Sequence, residues 1–385
     1  MRINQMYSVM NDINQQMFGA SAVAVHDLSG LISMGKTIAN AVSYDKFLNI
    51  FVDRIGKTII RRLDLQLEFP SLFMNEFEFG AVLQKITVDP VDASNNSSWD
   101  VGNVGFTPTL LDIHKPSVSV KYFEGADTAS FLMTIPFFLV DSAFTSEAGV
   151  AAFFDAVIAA LQDSVIVSIN NMSRTAVNNF VAEKVKASNG VINLLTGYNA
   201  IAGTPITQAD AMHDPNFLRY ASGEIKKYIK YMSQPSVLYN VDGKVRATSR
   251  DNMHVLCLTE FAVSSQVNLQ ADTYWKELLA LPNYTEVAYW QGNHDTVNGD
   301  NSFIANSTIN VIPSSEEGAV TPTAVNQDGV VMVLADRQAI AVGLNKRRSA
   351  TFTNTIDAYT NLKEEFTTQW INDVGGENGL IFVVA

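Results

Sequence analysis

The chain has 385 residues, 47% of them apolar, which is enough for a packed core and argues against disorder; at this length two domains or one elaborated domain are expected. Charged residues make up 17%, below the average of about 25%, so much of the surface is expected to be covered by something other than water, as in a subunit of a large assembly. The net charge of −13, with Lys and Arg few and scattered, excludes a nucleic-acid reader built on a basic stripe.

Cys257 is the only cysteine, so no disulfide forms within the chain, and its place in Val255-Leu256-Cys257-Leu258 points to a buried, inert thiol. No basic region followed by an apolar core opens the chain, so no signal peptide is expected. No apolar run reaches the ~18 residues of a membrane span.

Residues 1–42 are rich in Asn, Gln, Met, Ser and Ala and read as an arm, with a short helix expected over 11–17. A helix is expected over 43–55, capped by Ser43 and ended by Gly56. A half-buried strand follows to Phe69, alternating with period two from Leu63. Strand-like pieces at Phe77-Glu78-Phe79 and Ser117 to Val120 flank a turn cluster from Asp92 to Ser98, the pattern of an extended two-stranded excursion. An isolated hairpin is marginal in water, so this one is expected to lie on another subunit or domain.

From Ser146 to Ser188 the apolar residues Val150, Phe154, Val157, Leu161, Val165, Ile169, Met172, Ala176 and Phe180 recur every three or four positions. That spacing predicts one helix ~60 Å long with a narrow apolar stripe. Asn170 and Asn171, with Val165-Ile166-Val167, are poor helix formers where a kink is expected if anywhere, and Ser188-Asn189-Gly190 supplies the stop. With no second helix of that length to pair with, it is expected to lie across a sheet.

Asp214-Pro215 is a helix start, His254 to Leu258 a buried strand, and Tyr274 to Leu279 a short helix. Residues 293–323 read as loop. Gly329 to Ala335, Ala339 to Leu344 and Leu380 to Val384 read as strands, with Thr351 to Glu365 strand-like in part.

Gly30-Leu31-Ile32-Ser33-Met34-Gly35-Lys36-Thr37 matches the phosphate-binding P-loop pattern, in which backbone N–H groups cradle phosphate, Lys reaches its outer oxygens and the hydroxyl holds Mg²⁺. Ile135 to Asp141 resembles the partnering strand. Against this, Leu31, Ile32 and Met34 fill a loop that needs small residues, and Pro136 interrupts the second strand. The match is read as a decoy, with a nucleotide-binding enzyme using Lys36 and Thr37 as the alternative.

Gly292-Asn293-His294-Asp295 resembles a phosphoesterase loop but lacks further ligands, and His26-Asp27, His213-Asp214 and His294-Asp295 read as turns or caps. The pairs Glu316-Glu317 and Glu364-Glu365 read as solvated faces, and no nucleophile elbow is present. No catalytic residue, metal or cofactor is expected. Lys346-Arg347-Arg348, the longest basic run, reads as a solvated turn or subunit contact.

The order of parts (polar arm, two-stranded excursion, long helix, α/β region, returning strands) resembles a tailed-bacteriophage major capsid protein of the Hong Kong 97-type fold, which encapsulins share. Val52-Asp53-Arg54-Ile55-Gly56 with the strand after it, Arg246 to Gly292, and Val330 to Val384 resemble segments of the small short-tailed phages of the phi-twenty-nine type. The resemblance implies an α+β fold with an N-terminal arm (1–42), a peripheral domain (43–65 and 126–190, with spine helix 146–188), an extended loop (66–125) lying on a neighbouring subunit, an axial domain (191–325) and returning strands (326–385). It implies pentamers and hexamers of the chain itself, scaffolding and portal partners, enclosed double-stranded DNA, no membrane, and assembly in the host cytoplasm into a virion shell. Asp92, Asn95, Asn96 and Trp99 at the loop tip, with Lys346, Arg347 and Arg348, are the expected subunit contacts. Some relatives carry a further Ig-like domain, so a chain stopping at Ala385 is expected to lack that decoration. An enzyme-loaded encapsulin compartment is the alternative that keeps the fold.

Overall fold

The computed structural model describes residues 11–17, 30, 33, 68–74, 83–91, 117–123, 126–139, 147–270, 284–291, 307–316, 320–354 and 356–385. In chain order these form β1 (Phe73–Met74), β2 (Leu83–Val88), β3 (Val118–Phe123), β4 (Ala126–Pro136) and the long helix α1 (Glu147–Lys186). Next come β5 (Val191–Asn193), α2 (Leu194–Asn199), α3 (Gln208–Ala211), α4 (Pro215–Met232), β6 (Met253–Leu258) and α5 (Thr259–Gln270). The strands β7 (Thr285–Val287), β8 (Ile309–Val311), β9 (Val325–Gln327), β10 (Val330–Asp336), β11 (Ile340–Asn354), β12 (Tyr359–Asn372) and β13 (Gly379–Val383) complete the fold. The expected short helix over 11–17 is present.

The central sheet runs β5-β13-β10-β6-β7, and every residue of β6 and β13 is buried. Both faces are covered, so the strands read as continuous apolar runs rather than alternating ones. Leu256, Val333 and Ile381 point into the core shared with Met172, Val177 and Phe180 of α1. Cys257, Leu334 and Phe382, one residue on, enter a second core with Phe217 and Ile225 of α4 and Phe261 of α5. The result is helix, sheet and helices in three layers, with each large side chain so buried worth roughly 1.5–3 kcal/mol.

A second sheet runs β1-β11-β12-β4. Its β11–β12 hairpin pairs from Ile340↔Asn372 to Asn354↔Tyr359, with a register shift between Leu344 and Lys346. Ile340 and Val342 of β11 belong to the same core as Val333 and Ile381, so α1 lies across both sheets, as a spine.

α1 has 40 residues, close to the expected span, and is helical without a break through Val165 to Asn171. Its stripe is not narrow. From Ile169 to Ala182 all but Thr175 are buried, including Asn170, Asn171, Ser173, Arg174, Asn178 and Asn179. The residues that weaken the helix on propensity instead pin it: Asn170 Oδ1 accepts from Glu68 N at 3.1 Å, and Asn178 Nδ2 donates to Trp290 O at 2.6 Å. Asn179 exchanges two bonds with Ser314, at 2.9 and 3.0 Å.

The helix ends on paired bonds, Ser188 N to Val185 O at 3.0 Å and Asn189 N to Lys184 O at 3.2 Å. Ser188 takes the left-handed turn at φ 50°, a place where Asn189 was the natural expectation. Gly190 follows at φ 71°, where a Cβ would stand 2.6 Å from Gly379 O.

Three expectations change. Lys346, Arg347 and Arg348 lie within β11, paired with Thr367, Phe366 and Glu365, so the run is strand and not turn. Glu364 and Glu365 do point apart, but Glu364 is 1% exposed because its face of β12 is the buried one. The loop expected over 293–323 contains β8 and a 3-10 turn at Ser314–Glu316. Glu68 and Phe69, at the end of the strand expected from Thr58, are irregular, while the rest of that strand, the helices over 43–55 and 274–279, the piece at 77–79 and the turn at 92–98 lie outside the described residues.

Candidate functional site

Of the excursion expected between residues 66 and 125, the described parts Leu83–Val88 and Val118–Phe123 pair as a two-stranded antiparallel sheet, β2 with β3, whereas Phe69 and Leu72 enter the core under α1 and Phe73–Met74 pairs with β11. Its register sets Gln84 opposite Tyr122, Lys85 opposite Lys121, Ile86 opposite Val120, Thr87 opposite Ser119 and Val88 opposite Val118. Period two then sorts Gln84, Ile86, Val88, Val118, Val120 and Tyr122 onto one face and the two lysines with Thr87, Ser119 and, at one end, the pair Leu83 and Phe123 onto the other. The apolar face is the one left exposed, with Ile86 and Tyr122 both at 62%. The polar face turns inward. That is the reverse of a hairpin packed on its own core.

What holds the polar face is a set of ion pairs. Lys85 Nζ lies 2.8 Å from Asp373 Oδ2 and 2.7 Å from Glu377 Oε1. Lys121 Nζ lies 2.9 Å from Asp373 Oδ1 and 2.8 Å from Asp242 Oδ2. Asp89, just past β2, accepts from Lys244 Nζ and Arg246 Nη2, both at 3.3 Å. Lys244 also donates to Ser119 Oγ at 3.0 Å.

Two backbone segments carry this receptor. The turn 373–379 joins β12 to β13, and Asp373 Oδ1 also accepts from Gly376 N at 2.9 Å. The loop after α4 is tied to that turn by Asp242 N to Gly375 O, 3.0 Å, and a Cβ on Gly375 would stand 2.6 Å from the Asp242 carboxylate. Burial alone would raise the Asp373 carboxyl, but the bonds from Lys85 and Lys121 outweigh it and hold the group below the usual carboxylate range. The bond from Lys244, above all, depresses Asp89 likewise.

Among the described residues no comparable cluster converges on a reaction centre. Burial pushes the Cys257 thiol up to about 12 and His254 down to about 4, so both stay neutral and unreactive near pH 7. Asp214 caps α4, its Oδ1 accepting from Phe217 N at 2.7 Å, as expected of a His-Asp pair at a helix start. A cleft of about 380 Å³ between α1 and residues 311–316 has Glu316 as its acid, and Lys186 already holds that carboxylate. Among the described residues no three His, Cys, Asp or Glu side chains gather as a metal site would require, and no helix is long and apolar enough to cross a membrane. Gly30 and Ser33, inside the P-loop match, are helical, whereas a phosphate cradle is an irregular turn; Gly35, Lys36 and Thr37 lie outside the described residues, as do 292–295.

Of the expected contact residues, Arg348 is exposed on β11 beside Lys346 and Arg347, while Asp92, Asn95, Asn96 and Trp99 lie outside the described residues. Further exposed apolar residues gather by element: Val237, Leu238, Val241 and Val245 on the loop after α4, and Leu132, Phe138, Phe352 and Ile356 at the far end of the second sheet. Sequence reading missed the eight charged residues of the hairpin and its receptor. Alternation of Lys with Val and Ile over 83–88 and 118–123 was a signal for the two-faced hairpin, but nothing local links Lys85 to Asp373.

The chain thus turns apolar side chains outward on the β2–β3 hairpin and lays the long helix α1 across its sheets. Over residues 8–363 it matches the family described as Phi29-like phage major capsid protein. The chain belongs to that family. It is a structural capsid protein of the virion shell, and neither a nucleotide-binding enzyme nor an encapsulin finds support.

Solved structures agree on the fold. A chain of the capsid structure of Staphylococcus phage Andhra superposes on the capsid protein with a TM-score of 0.54 at 11% identity, covering 82% of this chain and 83% of that one. A chain of the structure of head fiber and inner core protein gp22 of native bacteriophage P68 gives a TM-score of 0.52 at 10% identity, covering 82% and 84%. The mixed helix-and-sheet architecture of the capsid protein is therefore of the Hong Kong 97 type. No curated protein matches it in sequence.

Proposed function

We propose that copies of this capsid protein close, as pentamers and hexamers, into an icosahedral or prolate shell around double-stranded phage DNA, without catalysis and without gripping the DNA by sequence. Assembly takes place in the host cytoplasm with scaffolding and portal proteins as partners. The net charge of −13 supports an enclosing role, because an acidic wall repels packed nucleic acid.

The observation that carries the reading is the outward apolar face of the β2–β3 hairpin. Five apolar side chains exposed on a hairpin whose polar face is already committed make a surface suited to burial against a second copy. The part of residues 66–125 that carries β2 and β3 then acts as an arm whose outer face lies on the neighbouring subunit, while Phe69 to Met74 stay with their own subunit's core and second sheet. Residues 191–325 gather near the symmetry axes and the sheet under α1 forms the periphery. Asp92, Asn95, Asn96 and Trp99 extend the arm contact, and Lys346, Arg347 and Arg348 offer a second, basic contact to an acidic neighbour.

Substituting Ile86→Ser with Val120→Ser tests the arm. Both sites are exposed in the single subunit, so folding should change by no more than about 0.5 kcal/mol. Particle yield should fall by about tenfold or more, as expected when anchors at an interface centre are removed. Wild-type particle yield would overturn the assignment.

A further inference from the structure

The two lysines of the hairpin's inner face are register partners, Lys85 directly opposite Lys121. Like charges in that position oppose strand pairing, and a two-stranded sheet is marginal to begin with. Their repulsion is relieved by one residue. Asp373 gives Oδ2 to Lys85 at 2.8 Å and Oδ1 to Lys121 at 2.9 Å, with its own side chain 2% exposed. Glu377 and Asp242 add a second acid to each lysine, and Lys244 and Arg246 meet Asp89 at the end of β2.

We propose that the β2–β3 hairpin is an ionic latch: its strands pair only when Asp373 bridges Lys85 and Lys121, so the arm is displayed only after the turn 373–379 has folded. Of the acids that close the latch, Asp373 and Glu377 lie more than 250 residues after Lys121, on the turn between β12 and β13, and Asp242 lies 121 residues after it, on the loop at 239–246. A subunit whose last strands are missing or misfolded therefore keeps the hairpin unpaired and its apolar face without a defined shape. The latch couples completion of the fold to competence for assembly, and this consequence rests on reading the hairpin as the contact arm.

Among the described residues, the charged groups facing the bridge are Lys85, Asp89 and Lys121 on the hairpin side, Asp242, Lys244 and Arg246 from the loop, and Asp373 and Glu377 from the turn. Desolvation pulls the Lys121 ammonium down, but its bonds to Asp242 and Asp373 carry it above the usual lysine value, and the Asp373 carboxyl lies below the usual carboxylate range. The depressed carboxylate contributes above its unfolded value and is lost only as pH falls through its folded one; the raised lysine contributes until pH climbs through its own. The latch thus stays shut across the neutral range and answers to folding and to salt.

Hydrogen exchange on the full-length chain tests it. In Lys85→Glu/Lys121→Glu, which sets two new carboxylates against Asp373, Glu377 and Asp242, amides of 83–88 and 118–123 should exchange about tenfold faster or more, while those of 330–336 and 379–383 keep native rates. In the unaltered protein, raising salt from about 0.05 M to about 1 M should accelerate the same hairpin amides several-fold and leave the central sheet unchanged, a readout that does not depend on a variant folding. Native hairpin protection in the charge-reversed chain, or a salt-insensitive hairpin, overturns the latch. The arm is decided separately: Ile86→Ser/Val120→Ser with native hairpin protection and few particles supports it, and full particle yield overturns it while the exchange rates still decide the latch.

Discussion

Lys184 is fully buried in the last turn of α1, where its ammonium donates to Tyr239 O at 2.7 Å and Asn189 Oδ1 at 3.2 Å and stands 5.9 Å from the Phe180 ring centre. Burial lowers its pKa to about 8. A lysine whose folded value is depressed costs stability while both states are charged, and that cost is relieved as pH rises from the folded value toward the unfolded one, ~10.4. The unfolding free energy of the native chain should therefore gain about 1–3 kcal/mol relative to Lys184→Met between about pH 8 and pH 10.5, measured by denaturant titration. Parallel pH profiles would show that the ammonium is not buried as described. Single residues were the least legible level in the sequence. Lys184 looked like an ordinary cation at a helix end, and Glu364 like half of a solvated pair.

At the scale of elements, α1 was readable from its apolar periodicity and the strands under it from their short continuous apolar runs. The narrow stripe was misread for a physical reason. A helix covered on every side needs polar pins as well as apolar contacts, and Asn170, Asn178 and Asn179 score as helix weakeners when their distant partners are unseen. A close fit lies where α1 meets β13: a Cβ on Gly379 would stand 2.3 Å from the Phe180 ring and 3.3 Å from Leu334 O. Gly379→Ala should cost about 1–3 kcal/mol by overpacking, and Phe180→Leu, which frees space, should make the double variant less destabilised than the sum of the two. Additive losses in thermal unfolding would mean that helix and strand do not touch there. Of the hairpin, β3 was legible from Ser117 to Val120, whereas β2 at Leu83–Val88 was not among the strand pieces expected and the turn at 92–98 lies outside the described residues. The hairpin's inversion was not legible, because which face turns inward depends on acids from distant parts of the chain.

At the scale of the whole molecule, the order of parts was the readable signal, and it led to the capsid family that the match over residues 8–363 establishes. Composition pointed the same way: 17% charged residues leave apolar surface that a lone subunit exposes on the hairpin, the 233–246 loop and the far end of the second sheet. What sequence could not supply is what covers those surfaces, since a contact proposed between copies leaves no pattern along one chain. Electron microscopy of particles assembled from the purified chain, with a scaffolding partner supplied, is the most direct measurement. Closed shells of pentamers and hexamers, with Ile86, Val88, Val118, Val120 and Tyr122 seated on an adjacent subunit, are the predicted result. Small soluble oligomers alone, or shells in which that hairpin face stays open to solvent, would contradict it.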